Sequence, residues 1–420
     1  MLEQAPVQRK EELGRLSPLA MAMRRFWQGT GARIGVCVVV GFILLAVYAP
    51  FFASEVAIVW WDEQGLSLPV FADLFNRRSY AQQHDLLFNL LIVLLPLLMT
   101  GWYLLGRFAS WSVTRRLLSA LALVTGSWIL CQLPVIPGEQ RSQAIWDDRP
   151  SSAATHADYR AAQEADRDVT AIFPLIPHRY TATSYSLRRP FEVNEDTGSY
   201  FLLGTDDRGH DVFARMIFGA RISLTIGLVA TVLAKCIGIA IGALSGYSGG
   251  VIDLLLQRLV EIMMAFPVFI LVLVVVSMLG RDIYIIMIVF GVTGWAGTAR
   301  LVRGEYLTQM GREYVLAAQS LGLHKSRIMF RHILPNVLTP LLISATFQIA
   351  GMILAESGLA FIGLGDPKAP SWGGLLDVGR KNIHYIWLIW VPGIAIFLLV
   401  TALNLIGDSL REALDPKGRS

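Results

Sequence analysis

Charge is scarce in this sequence. Only 16% of its 420 residues are Asp, Glu, Lys or Arg, while 54% are apolar. A soluble globular chain carries roughly 25% charged residues. Cysteine is scarcer still. Cys37, Cys131 and Cys236 are the three, each inside an apolar run and none in the large polar segment, so no disulfide is expected. They read as small apolar fillers. The histidines (His84, His156, His178, His210, His324, His332 and His384) have no HxxxH or HxH spacing. No metal site is therefore expected. A GxxxxGK[ST] phosphate loop and an HExxH zinc motif are both missing, so the chain brings no nucleotide motor of that kind.

What it has is long apolar runs. Windows of membrane-spanning length lie near 34–53, 86–106, 117–136, 222–245, 260–280, 283–302, 337–358 and 385–407. About 20 such residues suffice to cross a bilayer as a helix. The expectation is an all-α, polytopic membrane bundle of about eight transmembrane helices, with the lipid bilayer as solvent. In that class a net charge of +4 does not point to nucleic acid. Arg24, Arg25 and Arg33 precede the first run, whose length suits a signal anchor rather than a cleaved leader.

Basic residues in short loops set the orientation. They gather in 1–33, 107–116, 303–336 and the tail, and an even number of spans puts all four on the cytoplasmic side. The segments 54–85, 137–221 and 359–384 then face outward. The resulting partition is a cytoplasmic segment 1–33, a three-helix membrane region 34–136, an extracytoplasmic segment 137–221, a core 222–410 and a cytoplasmic tail 411–420. Within 138–170 the chain is polar, with a surface helix or a mobile excursion around 157–168. From Ala171 the sequence AIFPLIPHRY suggests an ordered, extended passage.

Gly238, Gly242 and Gly246 recur every four residues, which lines one helix face with small groups and lets another helix approach. Gly291, Gly294 and Gly297 do something similar in the 283–302 run. Ionisable groups deep in the runs are few. Lys235 lies mid-window and Glu356 near an outer end. Such groups are expensive in a bilayer and mark candidate translocation paths; the alternative for Lys235 is a side chain that snorkels or meets a backbone carbonyl.

The stretch EYVLAAQSLGLHKSRIMFRHILPN, residues 313–336, is too polar to cross a membrane and too apolar for a plain loop. Tyr314, Ala317, Ala318 and Leu321 fall at i, i+3, i+4 and i+7, the spacing of one helical face. Gly322 follows as a helix stop, and Pro335 marks entry into the next run. A short amphipathic helix of this kind can seat in a groove on a partner.

This stretch resembles the EAA loop of ABC-importer permeases, the inner-membrane components of binding-protein-dependent transport systems. The family pattern is roughly EAAxxxG, nine residues, then IxLP. Leu316-Ala317-Ala318, Gly322 and Leu334-Pro335 stand at matching spacing, with Leu316 in place of the acid and His332 in place of isoleucine. LGTDDRGHDVFARMIFGARISL (203–224), AESGLAFIGLGDPKAPSWGGLL (355–376) and NLIGDSLREALDPK (404–417) resemble the dipeptide/oligopeptide branch, C-type subunit.

The resemblance implies an ABC-importer type I permease core with two extra helices, 86–106 and 117–136. It implies a transport subunit rather than an enzyme, in the bacterial inner membrane, with no cofactor of its own. The expected partners are a second homologous permease, two ATPase subunits that bind the ATP, and an extracytoplasmic binding protein. Glu313, Tyr314, Leu316, Ala317, Ala318, Leu321, Gly322, Arg331, Leu334 and Pro335 are then the ATPase-coupling residues. An interfacial helix at the LGTD stretch would let Asp206, Asp207 and Asp211, and separately Trp372, meet the binding protein; local capping and a membrane-interface belt are the competing readings. Peptides are the expected cargo, with nickel or another small solute as an alternative. A self-powered carrier would need intramembrane charge networks, and few such groups are present.

Overall fold

The computed structural model describes residues 18–62, 65–76, 79–80, 82–107, 113–132, 170–184, 186–193 and 200–414. In lipid every backbone N–H and C=O must be satisfied within the chain, so the apolar runs fold as helices. In order they are α1 (Pro18–Gln28), α2 (Thr30–Val47), the short α3 (Ala49–Phe52) and α4 (Pro69–Asp73), α5 (Gln83–Arg107), α6 (Val113–Gln132) and α7 (Val212–Ser248). They continue as α8 (Gly250–Ala265), α9 (Val268–Leu279), α10 (Ile283–Thr293), α11 (Ala296–Met310) and α12 (Glu313–Ser320). The last three are α13 (Lys325–Phe361), α14 (Trp372–Lys381) and α15 (Trp387–Leu414).

Among the described residues, six helices are long and apolar enough to cross a membrane, or seven if the bent pair α8–α9 counts as one span. The further expected span, 117–136, falls on α6 and extends onto residues outside the described ones. The single span expected over 260–280 is broken. α8 and α9 meet at 79°. Pro267 has no N–H to continue α8, and it pushes Phe266 into an extended conformation (φ −84°, ψ 132°).

The contacts divide the chain into two units. One comprises Met1–Gly41, Leu224–Asp366 and Ile394–Ser420; the other comprises Phe42–Ser223 and Pro367–Gly393. The second unit also holds small sheets. β1 (Val59–Asp62) pairs antiparallel with β2 (Gly65–Ser67) and with β3 (Thr170–Ile172), in the order β2-β1-β3. β4 (Glu192–Val193) pairs with β5 (Tyr200–Phe201). The helix considered around 157–168 lies outside the described residues. No separate interfacial helix forms at the LGTD stretch: the chain turns through 202–211, and α7 then runs without interruption for 37 residues from Val212. The first of the two extra helices is packed into the fold along part of its length. The first half of α5 buries Leu86, Phe88, Leu90, Ile92 and Leu94, whereas Leu97, Met99 and Tyr103 beyond Pro96 are exposed.

Candidate functional site

The first unit carries a distinct short helix, α12, between α11 and α13. Arg312 precedes it in an extended conformation, and Glu313 sits in its first turn, where an acid favours the helix dipole. The stop is a Schellman turn. Gly322 holds φ 71°, its N–H donates to Gln319 O at 2.9 Å, and Leu323 N–H donates to Ala318 O at 3.2 Å. A residue with a Cβ pays steric strain in that left-handed conformation.

Val315 and Ala318 face inward. They join a core with Val302 and Tyr306 of α11, Ala243 of α7, and Ile328, Met329, Ile333, Val337 and Leu341 of α13. The opposite side is apolar and open: Tyr314, Leu316, Ala317 and Leu321 are exposed, Leu321 at 79%. The expected face of Tyr314, Ala317, Ala318 and Leu321 is thus corrected at Ala318, which lies one turn from Val315 on the buried side. Tyr314 accepts a hydrogen bond from Asn336 Nδ2 (3.2 Å) and donates to Gln309 (2.9 Å), tying α12 to both neighbours.

Pro335 does not end the loop. The helix is already under way at Lys325, and Ile328–Ile333 form a π-helical stretch just before Leu334 and Pro335. A proline lacks the N–H and crowds the carbonyl one turn back; a widened π turn accommodates that inside a helix. Tyr306, fully buried, donates its hydroxyl to Met329 O (3.1 Å) within this stretch. Arg331 and Pro335 are exposed, and Leu334 is half-buried.

The glycine row of α7 meets α11 closely. An added Cβ would lie 2.5 Å from Thr298 Cβ at Gly238, 2.5 Å from Ala299 O at Gly242, and 2.6 Å from Tyr306 Cβ at Gly246. Gly291 meets Leu233 and Gly294 meets Met352, but Gly297 faces open space. Near the α12 end, Arg303 of α11 forms a bidentate pair with Asp253 of α8, both contacts at 2.7 Å, and Ser245 of α7 donates to the same carboxylate. This arrangement links α7, α8 and α11 beneath the α12 core.

Deeper in the same unit, Lys235 of α7 donates to Ser344 Oγ of α13 (2.7 Å) and Thr298 Oγ1 of α11 (3.2 Å). Gln348 joins Thr298 (3.4 Å) and donates to Gly294 O (3.0 Å). Glu356, the other path candidate, is buried at 2% exposure, with Ser357 Oγ 3.5 Å away. It lies 12 residues beyond Ser344, about 18 Å along the helix. The two candidates are therefore not brought together, and Glu356 lines no open surface.

In the second unit the acids of the LGTD stretch turn inward. Asp206 is fully buried and accepts from Arg208 N and His210 N (both 2.9 Å) and from Arg215 Nη1 (2.5 Å). Burial would raise its pKa, but the His210 ring bond and the Arg215 charge outweigh that and hold it at about 2. Asp211 caps α7 by accepting from Ala214 N (2.8 Å). Trp372, at 1% exposure, donates Nε1–H to Met216 O (2.8 Å) and fills the gap left by Gly219. The expected docking role of Asp206, Asp211 and Trp372 is corrected, because buried side chains bonded within the fold cannot form a contact surface. Asp207 alone of the four is exposed. Among the described residues no cluster could hold a metal ion.

Long apolar helices packed through glycines, with a polar cluster inside and a short helix presented at one end, mark a polytopic membrane protein. Residues 238–420 match the family described as binding-protein-dependent transport system inner membrane component, and residues 17–62 match the N-terminal TM domain of oligopeptide transport permease C. The chain belongs to this family of inner-membrane permeases. It is 38% identical to the oligopeptide transport system permease protein of Haemophilus influenzae over 245 residues, covering 58% of this chain and 78% of the relative. It is 37% identical to the dipeptide transport system permease protein of Alkalihalophilus pseudofirmus, covering 57% and 80%. With the di/tripeptide transport system permease protein of Pseudomonas aeruginosa the identity is 40%, covering 52% and 72%.

Proposed function

We propose that this chain is a permease subunit of an ATP-driven importer of peptides, coupled through α12 to separate ATPase subunits. The names of its relatives, which include oligopeptide, dipeptide and di/tripeptide permeases, support the cargo class. One observation carries the coupling. Val315 and Ala318 seat α12 on a core shared by α7, α11 and α13, while its outer face leaves Leu316 and Leu321 uncovered. A push on that outer face is delivered to three spanning helices at once. Packed helices respond to such a push by rigid-body rocking, the basis of alternating access.

In this reading a second homologous permease completes the path, two ATPases bind and hydrolyse the ATP, and an extracytoplasmic binding protein delivers the peptide. The chain itself carries no catalysis and needs no cofactor. Both termini and α12 lie in the cytoplasm. That orientation requires α6 to cross the membrane together with α5, so that α7 starts on the outer side; Arg115 and Arg116 would then sit at its cytoplasmic end.

The test is ATPase activity in proteoliposomes holding both permeases, the ATPases and the binding protein. Loaded binding protein should stimulate hydrolysis, and Gly322→Asp should abolish the stimulation while the subunit still inserts. Normal coupled hydrolysis in the variant would count against the docking role of α12.

A further inference from the structure

Resting on the peptide-permease reading, we propose that Lys235 is a binding point for a carboxylate of the transported peptide. The argument is a count of donors and charges. A lysine ammonium has three N–H donors and one full positive charge. Two donors are used, on Ser344 Oγ and Thr298 Oγ1. Both partners are neutral hydroxyls, and their own protons are already committed. Ser344 donates to Leu341 O (2.9 Å), and Thr298 donates to Gln348 Oε1 (3.4 Å). Gln348 is in turn held by Gly294 O. The cluster is thus complete except for one N–H and the charge of Lys235. No carboxylate is paired with Lys235 among the described residues.

An uncompensated cation in the middle of a spanning helix is costly, and such groups pair with one another or face a cavity. Lys235 does not snorkel. It is held by two hydroxyls from two other helices near the middle of α7, and it remains half-buried rather than sealed. Residues Ile343–Ile349 of α13, which include Ser344 and Gln348, are likewise all half-buried. A carboxylate arriving along this face would find a pre-oriented N–H and an unpaired charge. Every free peptide brings such a group at its C-terminus. The interaction is a charge-assisted hydrogen bond, and it need last only while the peptide passes.

The experiment uses the reconstituted complex and one peptide in two forms, with a free C-terminal acid and with a C-terminal amide. Each is supplied at a concentration that saturates the binding protein, and the readout is the ratio of their ATP-dependent uptake rates. Wild type should favour the acid. Lys235→Gln should lower that preference by about tenfold, the scale of one charge-assisted hydrogen bond, and Lys235→Arg should keep part of it. An unchanged ratio in Lys235→Gln overturns the proposal. So does a Lys235→Gln or Lys235→Met subunit that no longer assembles with its partners, since Lys235 would then be a packing residue. Wild-type complex that takes up neither peptide would overturn the peptide-permease reading and this proposal with it, an outcome separate from any effect of the variants.

Discussion

Arg221 and Asp85 stand 136 residues apart in the chain and form a buried ion pair at 3.0 Å. Arg221 also donates Nε–H to Ala46 O (2.7 Å) and Nη2–H to Asn89 Oδ1 (2.8 Å), and its guanidinium carbon lies 4.8 Å from the centre of the Phe218 ring and 5.4 Å from that of Phe88. Tyr180 donates to the other Asp85 oxygen (2.9 Å). One guanidinium therefore caps the last carbonyls of α2, holds α5, and anchors both to α7. Helix-end carbonyls need such partners where water is excluded. This is why the start of α5 is part of the fold rather than lipid-facing padding.

Arg221→Ala should accordingly destabilise the protein by about 3–5 kcal/mol, because it strands the Asp85 charge in a buried site. Arg221→Lys should fall in between, since a point ammonium cannot replace the fork that reaches five acceptor atoms. Thermal melting of the purified subunit in nanodiscs reads this directly. A melting point unchanged by Arg221→Ala would mean that α5 is not held by this pair.

The glycine row makes a second, position-specific prediction. Gly242→Leu cannot be accommodated, because its Cβ alone would lie 2.5 Å from Ala299 O and 2.7 Å from Val302 Cβ. Gly297→Ala meets nothing within 4 Å and should be neutral or stabilising by up to about 1 kcal/mol, the helix-propensity difference. Yield and melting temperature of the two variants should move in opposite directions. Similar behaviour would show that the α7–α11 contact is looser than its geometry.

These two cases also show what could be read from the sequence. Gly238, Gly242 and Gly246 were legible because a spacing of four places them on one helix face, and Gly322 because a helix stop needs a residue free to take positive φ. Gly297, at similar spacing, faces nothing, because spacing does not say where the neighbour lies. The burial of Asp206, Asp211 and Trp372 was not legible. Polar residues ahead of a helix look alike whether they face water or fold back on local N–H groups. The Arg221–Asp85 pair depends on tertiary placement of distant segments, and the π stretch before Pro335 depends on how one helix relaxes around a missing N–H. Neither leaves a local pattern.

The same π stretch predicts an effect on coupling. Tyr306→Phe removes the hydroxyl that donates to Met329 O inside a buried core. The cost should be about 1 kcal/mol, with a carbonyl left short of a donor. The expected result is a subunit that inserts normally but shows weaker stimulation of ATPase activity by loaded binding protein. Full stimulation would mean that α12 transmits its motion through the apolar contacts alone.

Asp211 gives a pH prediction of definite sign. Burial pushes its carboxyl up to about 7, against hydrogen bonds from the Ala214 and Phe213 amides, and the nearby Asp206 charge adds to the rise. One oxygen, Oδ2, is buried without a hydrogen-bond partner, as suits a protonated acid. A group whose folded pKa is raised binds its proton more tightly in the native state. Its contribution is fully present below the unfolded value of 3.8 and is lost as pH rises through about 7. Asn is as good an N-cap as Asp and carries no charge. Asp211→Asn should therefore leave the melting temperature unchanged near pH 4, raise it progressively between pH 4 and 7, and hold that gain above pH 7. Asp206, held at about 2, contributes in the opposite sense, but only below pH 4, so it does not mask the window. A variant less stable than wild type at pH 8 would show that the ionised carboxylate, and not the capping amide bonds, is what the start of α7 requires.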